Sequence, residues 1–229
     1  MGSVERRQRE KAEMRGMISR AAMKLFLTEG FERTSIRRIA QEIEYTPGAI
    51  YSYFKDKDEI LYALHNEGFD RLAVAFSTIP PSDDPFEDLR HCGEAYLRFA
   101  LENPEYYDLM FMMEATGNKI QENKEWREGL RAYDFLRERV YACMKQGRIP
   151  AGDPEAAAYG MWAAVHGMAS LIIRNRCVMF PAEELPAMAA AAFNLLIQAF
   201  ERKPSPRSKP RVPAFQPFAT TKAGKRKSK

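Results

Sequence analysis

The chain has 229 residues, of which 45% are hydrophobic, 35 are Lys or Arg and 31 are Asp or Glu. This length fits one large or two modest domains, and the apolar fraction is high enough to exclude a chain that is disordered throughout. Three cysteines without a CxxC pair exclude a disulfide scaffold and a cysteine-based zinc site, and they favour a reducing compartment.

The net charge of +4 conceals three blocks of different sign. Residues 1–58 carry 12 basic and 9 acidic side chains, residues 59–201 carry 13 and 22, and residues 202–229 carry ten basic side chains and no acid. Opposite charges in separate blocks indicate separate roles. We therefore predict a basic head (1–58), an acidic body (59–201) and a Pro-rich basic tail (202–229) that cannot bury enough apolar surface to fold.

Helical spacing begins near the N-terminus. Apolar residues from Met14 to Phe26 follow one stripe of an amphipathic helix, and Gly30 suits the left-handed residue beyond its end. Two short helices, about 35–43 and 46–53, follow across a three-residue turn, and Asp56 opens a longer one. This spacing predicts a helix-turn-helix, whose second helix enters the DNA major groove.

Later helices are predicted at roughly 86–102, 104–114, 123–146, 154–175 and 183–201, separated by Pro- and Gly-containing breakers. No segment alternates polar and apolar residues for long enough to predict a strand. The fold class is all-α with about nine helices: an N-terminal three-helix head and a C-terminal helical body.

The segments 154–175 and 183–201 hold long runs without charge. A membrane hairpin is one interpretation, but the first run contains His166 and two glycines and is rich in alanine. We expect buried helices and no membrane span, and we expect no export signal, because residues 1–15 are densely charged. Pairing of these two helices with a second copy predicts a four-helix homodimer interface.

A specific motif carries the prediction further. Residues 34–40 read TSIRRIA and residues 46–57 read TPGAIYSYFKDK, and this stretch resembles the N-terminal domain of the TetR family of bacterial regulators. The resemblance implies a cytoplasmic protein that binds palindromic operator DNA as a dimer. It also implies the DNA-binding residues: Arg37, Thr46, Pro47, Gly48, Ala49, Tyr51, Ser52, Tyr53 and Lys57. The family usually has glycine in the turn, where this chain has Glu44, and we expect a mild cost from a left-handed glutamate.

A second resemblance lies in the body. Residues 103–111 (NPEYYDLMF) and 162–167 (WAAVHG) resemble the regulatory domain named for its Trp-His-Gly motif. Trp162 and His166 share a helix face, with Gly167 allowing a close helix neighbour. They are predicted to line an effector pocket with Tyr107, Phe111 and Tyr133. The alternative interpretation is a packed Trp–His pair whose imidazole binds a backbone carbonyl.

The predicted function is a transcriptional regulator, preferably a repressor that a small apolar effector releases from its operator, and these residues do not exclude activation. The long helix from Asp56 to Ile79 is the predicted lever between head and body. No metal site, cofactor or catalytic constellation is predicted, because no His-rich or nucleophile motif occurs. Two alternatives stay open: a helical enzyme or small-molecule carrier with an incidental basic head, and a non-specific DNA binder acting through the tail.

Overall fold

The computed structural model describes residues 3–123 and 126–202, and over these residues it is helical without a strand. The all-α prediction is confirmed. The α-helices are α1 (Ser3–Thr28), α2 (Ile36–Glu42), α3 (Pro47–Tyr51), α4 (Lys57–Ser77), α5 (Pro85–Glu102), α6 (Pro104–Tyr107), α7 (Glu114–Asn123), α8 (Arg127–Lys145), α9 (Pro154–Ile173) and α10 (Leu185–Phe200). A π-helix, Asp108–Met112, follows α6, and a 3₁₀ helix, Ala182–Glu184, precedes α10. Beyond Arg202, the predicted tail lies outside the described residues.

The described residues form two compact units. Unit 1 contains the residues up to Asp70 together with 103–123, and unit 2 contains 71–102 together with 126–202. The predicted division after residue 58 follows charge, whereas these units follow packing. Residues 103–123, from the middle of the chain, therefore belong to the same unit as the basic head.

The core of unit 1 is built on the predicted apolar stripe of α1. Ile18, Ala22 and Phe26 are buried there, and the following elements add Ile39, Ile50, Phe54, Ile60 and Leu64. Full burial of each Ile, Leu or Phe side chain contributes about 1.5–3 kcal/mol to the free energy of folding. Short helices such as α2 and α3 are marginal alone, so this packing is what holds them in place.

Residues 103–123 complete the same core. Leu109 is fully buried in it, and Tyr106, Met113 and Ala115 pack against it. Gly68 of α4 permits the close approach of Met110, because a Cβ at residue 68 would lie 2.3 Å from the Met110 sulfur. Side-chain pairs add to the packing: the Tyr106 hydroxyl donates to Glu67 at 2.5 Å, and Lys119 lies 2.8 Å from Asp58.

The predicted helices differ from the structure in this segment. The helix predicted at 104–114 is a short α-helix followed by a π-helix, closed by the Met113 amide donating to the Asp108 carbonyl at 2.9 Å. The segment between the helices predicted at 104–114 and 123–146, which contains Gly117-Asn118, was expected to interrupt the helices, and this was wrong, because α7 runs through it. A glycine inside a helix costs about 1 kcal/mol. The packing of Ala115 and the buried bond from Thr116 Oγ1 to the Leu109 carbonyl, at 2.7 Å, offset that cost.

Unit 2 is a helical bundle of α5, α8, α9 and α10, joined by the C-terminal end of α4. Phe76 and Phe135 stack with ring centroids 4.5 Å apart. Phe193 of α10 packs on Gly93 of α5, where a Cβ would lie 2.1 Å from the ring. Cys92 and Cys143 are buried free thiols, and burial raises the pKa of each to about 12. These thiols are therefore inert core residues.

Candidate DNA-binding interface

Side-chain caps begin both helices of the predicted helix-turn-helix. Ser35 Oγ accepts from the Arg38 amide at 3.1 Å, and Thr46 Oγ1 accepts from the Ala49 amide at 3.3 Å. Pro47 occupies the first position of α3, where its missing N–H costs nothing. The observed bounds of α2 and α3 lie within one or two residues of the predicted 35–43 and 46–53.

The turn between α2 and α3 places Glu44 in the left-handed region, with φ of 58°. The Tyr45 amide donates to the Ala40 carbonyl at 2.9 Å and the Glu44 amide to the Gln41 carbonyl at 3.3 Å. These two bonds form a Schellman motif, whose left-handed position is normally glycine. The expectation of a left-handed glutamate is confirmed, and no other residue of the turn has a positive φ among those described.

Glu44→Gly is expected to raise the free energy of unfolding by about 1 kcal/mol, because glycine adopts this φ without the Cβ clash. Urea unfolding followed by circular dichroism measures the gain. Glu44→Ala is the matched control: it removes the same charge but keeps the strain, so it should yield no such gain. An equal gain in both variants would show that the destabilisation comes from the charge of Glu44 and not from its backbone conformation.

The residues predicted to face DNA are mostly exposed on one side of unit 1. Tyr51 is 58% exposed, and Ala49 is half-buried. The other exposed members of the set are Arg37, Thr46, Pro47, Gly48 and Ser52. On the opposite side of α3, Ile50 is fully buried and anchors the helix to the core. A single short helix thus presents small and hydroxyl-bearing residues outward from a fixed base.

Two residues of the predicted set turn inward in the free protein. Lys57 Nζ donates to the Phe31 carbonyl at 2.8 Å and lies 4.2 Å from the centre of the Phe31 ring. Tyr53 is half-buried against the core, and its carbonyl accepts a hydrogen bond from Arg15. These contacts explain how the end of α3 and the turn before α2 are held, which the sequence pattern did not indicate.

Arg38, next to Arg37 on α2, forms an ion-pair network inside unit 1. Its guanidinium lies 2.9 Å from both Glu29 and Glu42, and Glu42 also binds Lys24 at 2.6 Å. The hydrogen bonds that Arg38 donates to Glu29 and then to Glu42 raise the pKa of Arg38, and the bonds that Glu42 accepts from Lys24 and then from Arg38 lower the pKa of Glu42. Arg37 on the same helix is exposed, so it is the arginine of this pair that faces outward.

The five predicted effector-pocket residues make aromatic contacts within each unit. In unit 1, Tyr107 is fully buried with its ring 5.3 Å from Phe111, which in turn lies 5.8 Å from Phe69. In unit 2, the Trp162 ring lies 6.0 Å from Tyr133 and 5.4 Å from His166. Each unit therefore has an aromatic cluster of its own.

The cluster of unit 2 contains a residue that sequence reasoning missed. The hydroxyl of Tyr96 lies 3.0 Å from His166 Nδ1 and accepts from Trp162 Nε1 at 3.4 Å. An indole N–H can only donate, so the Tyr96 oxygen is the acceptor in its contact with Trp162. Burial lowers the pKa of His166, because it disfavours the charged form of the ring. Nδ1 therefore pairs with a phenol, where the packing interpretation expected a backbone carbonyl.

Two protein-family profiles match this chain. Residues 18–64 match the profile described as bacterial regulatory proteins of the tetR family, and residues 89–200 match the tetracyclin repressor-like C-terminal domain. The first match contains the whole helix-turn-helix, and the second contains Trp162, His166 and Gly167. The chain belongs to the TetR family.

Individual regulators are also similar to this chain in sequence or in fold. An HTH-type transcriptional regulator of Staphylococcus aureus (strain USA300) is 31% identical over 117 residues, which are 50% of this chain and 60% of that protein. The chain thus spans somewhat less than two thirds of the curated relatives that it matches. The crystal structure of PfmR from Thermus thermophilus aligns with 81% of this chain and 99% of its own, at 26% identity and a TM-score of 0.61. FadR from Bacillus halodurans, a fatty acid degradation regulator, shares the fold with a TM-score of 0.64 at 18% identity, over 80% of this chain and 94% of its own.

Proposed function

We propose that this protein is a sequence-specific DNA-binding transcriptional regulator whose α3 reads an operator in the major groove. The observation that supports the proposal is the outward face of α3, where Thr46, Gly48, Tyr51 and Ser52 are exposed beside a buried Ile50. Hydroxyl groups and small residues at a helix N-terminus suit base edges and phosphates. Membership of the TetR family and the cytoplasmic location expected of it support the same function.

Tyr51→Ala is expected to weaken binding to the upstream region of the protein's own gene by about 5- to 150-fold, as one lost groove contact costs about 1–3 kcal/mol. Gel shifts with competitor DNA measure the change. Tyr62→Ala is the matched control, because Tyr62 is 47% exposed in α4 and outside the predicted set. If wild type forms no specific complex, or if both variants bind alike, the proposed reading surface is wrong.

The proposed homodimer uses the helices predicted at 154–175 and 183–201, which correspond to α9 and α10. A single chain leaves much of both uncovered: α9 has a mean hydropathy of 1.4 over a window of which only 17% is buried. Gly160 and Gly167 have no atom within 4 Å of an added Cβ, so the close neighbour expected at Gly167 is absent among the described residues. A second copy would supply that neighbour.

Length and composition alone would also allow α9 to cross a membrane, and one such helix is weak evidence. The packing of α9 on α5 and α8 of the same unit argues for a protein partner. The exposed apolar residues of α10 support this interpretation: Met188 is 40%, Leu195 72% and Phe200 43% exposed. Two-fold pairing buries both helices at once, and it places two heads on a palindromic site.

Leu195→Glu is expected to convert the dimer to a monomer, since burying an unpaired carboxylate in an apolar interface is strongly unfavourable. Analytical ultracentrifugation at micromolar concentration measures the mass. Val74→Glu makes the same change at a 63% exposed position of α4 and should leave the mass unaltered. A Leu195→Glu protein that stays dimeric would place the interface elsewhere, and partitioning of wild type into liposomes would favour the membrane interpretation.

A small effector is proposed to act through the aromatic clusters described above. Tyr107, Phe111, Tyr133, Trp162 and His166 are the proposed lining residues. The neutral imidazole and the acidic body together suit an apolar, neutral or cationic molecule better than a large anion. Coupling requires that the effector bind two states of the protein unequally, and about 1–3 kcal/mol is typical. Two elements could carry the change: α4, which contributes to both units, and residues 103–123, which complete the head's core.

A further inference from the structure

The first helix is longer than its core requires. α1 starts at Ser3, but its first buried residue is Ile18, and residues 4–13 are all exposed. About three turns of helix therefore lie outside the core of unit 1. A helix that is polar on every side either bridges to something else or depends on its own ion pairs. Here one such pair is exposed and long, with Arg6 Nε 3.6 Å from Glu10.

The charges on this extension are sorted by face. Arg7, Lys11 and Arg15 stand at i, i+4 and i+8, within an arc of about 80° around the helix axis. Glu5, Glu10 and Glu13 all fall outside that arc. Arg7 and Lys11 are exposed, and neither forms an ion pair with a described residue. We call Arg7, Lys11 and Arg15 the basic stripe.

The basic stripe is anchored to the DNA-reading helix at one end. Arg15 donates to the carbonyl of Tyr53 and lies over the Phe54 ring, 4.0 Å from its centre. Tyr53 and Phe54 lie two and three positions after the exposed Tyr51, the last residue of α3. With a rise of 1.5 Å per residue, Lys11 and Arg7 stand about 6 and 12 Å further along α1 from that anchor.

We infer that the basic stripe binds the phosphate backbone of the duplex flanking the bases read by α3. This rests on the proposed function and adds to it a second, sequence-independent contact surface. A duplex carries one negative charge per about 1.7 Å of axis, so two cations about 6 Å apart both find phosphates. The stripe's outward face is free of acid, which distinguishes it from the mixed face around Arg6 and Arg9.

The test compares two double variants of equal charge. R7Q/K11Q removes the outward cations of the stripe, and R6Q/R9Q removes two from the opposite face; glutamine preserves helix propensity in both. Each protein is titrated with the upstream duplex trimmed to its footprint, and with the same duplex extended by about six base pairs on each side, between 50 and 200 mM salt. Circular dichroism confirms equal helix content and melting temperature.

Wild type and R6Q/R9Q are expected to bind the extended duplex more tightly than the trimmed one, whereas R7Q/K11Q should lose this gain. Two lost phosphate contacts in each head should flatten the slope of log K against log salt by about 1.8 per head. At 0.1 M salt this lowers the affinity per head roughly sixtyfold, taking 1 M salt as the reference. Equal losses in both doubles would show that total charge matters and the stripe does not. If R7Q/K11Q still binds the extended duplex more tightly than the trimmed one, the inference is wrong and the proposed function stands. If wild type forms no specific complex, the proposed function is wrong as well.

Discussion

Gly48→Ala is expected to lower operator affinity by about 10- to 100-fold while leaving the protein as stable as before or slightly more so. Nothing within the chain requires a glycine at this position: a Cβ would meet only Thr46 Oγ1, at 3.9 Å, which is an ordinary contact. Alanine inside a helix is favoured over glycine by roughly 0.5–1 kcal/mol. The loss is expected on DNA, where a methyl group would separate the backbone of α3 from base edges and cost about 1–3 kcal/mol.

The chain offers a matched control for this change. Gly117 of α7 is also an exposed helical glycine of unit 1, and no atom lies within 4 Å of its added Cβ. Gly117→Ala should raise thermal stability to a similar extent and leave DNA affinity unaltered. Fluorescence anisotropy with labelled operator and a thermal melt measure the two quantities. Wild-type affinity in Gly48→Ala would contradict the close approach of α3 to DNA.

The head was the most predictable part of the fold, because its signals are local. The caps at Ser35 and Thr46, Pro47 at the first position of α3 and the left-handed Glu44 are each determined by residues within four positions of one another. The family motif covers the same stretch. The exposed face of α3 follows from the burial of Ile50, which helical spacing alone predicts.

The parts that were not predictable depend on contacts distant in sequence. Arg38 and Lys57 have the appearance of phosphate ligands in the sequence, but partners elsewhere in the head engage them. Tyr96 joins Trp162 and His166 from about 70 positions away. The continuation of α7 through Gly117 depends on tertiary packing that outweighs the local preference for a break.

Leu109→Ala is expected to destabilise unit 1 by about 3–4 kcal/mol, although residue 109 lies far outside the helix-turn-helix sequence. Leu109 is fully buried among residues of the head's core, and Leu→Ala changes at such sites cost about 2.7–5 kcal/mol, depending on how far the cavity collapses. Domain stabilities are typically about 5–15 kcal/mol, so this is a large fraction. The residue thus links a segment of the C-terminal domain match, residues 89–200, to the stability of the unit that holds the helix-turn-helix.

Chemical denaturation of the full chain measures this effect, with Val74→Ala as the control. Val74 is 63% exposed, so its truncation should change the unfolding free energy by less than about 0.5 kcal/mol. Operator binding by Leu109→Ala should fall as temperature approaches the lowered transition, while binding well below it stays near that of wild type, because residue 109 is not proposed to touch DNA. If Leu109→Ala melts like wild type, residues 103–123 do not stabilise the head. The proposed coupling between effector and operator would then rest on α4.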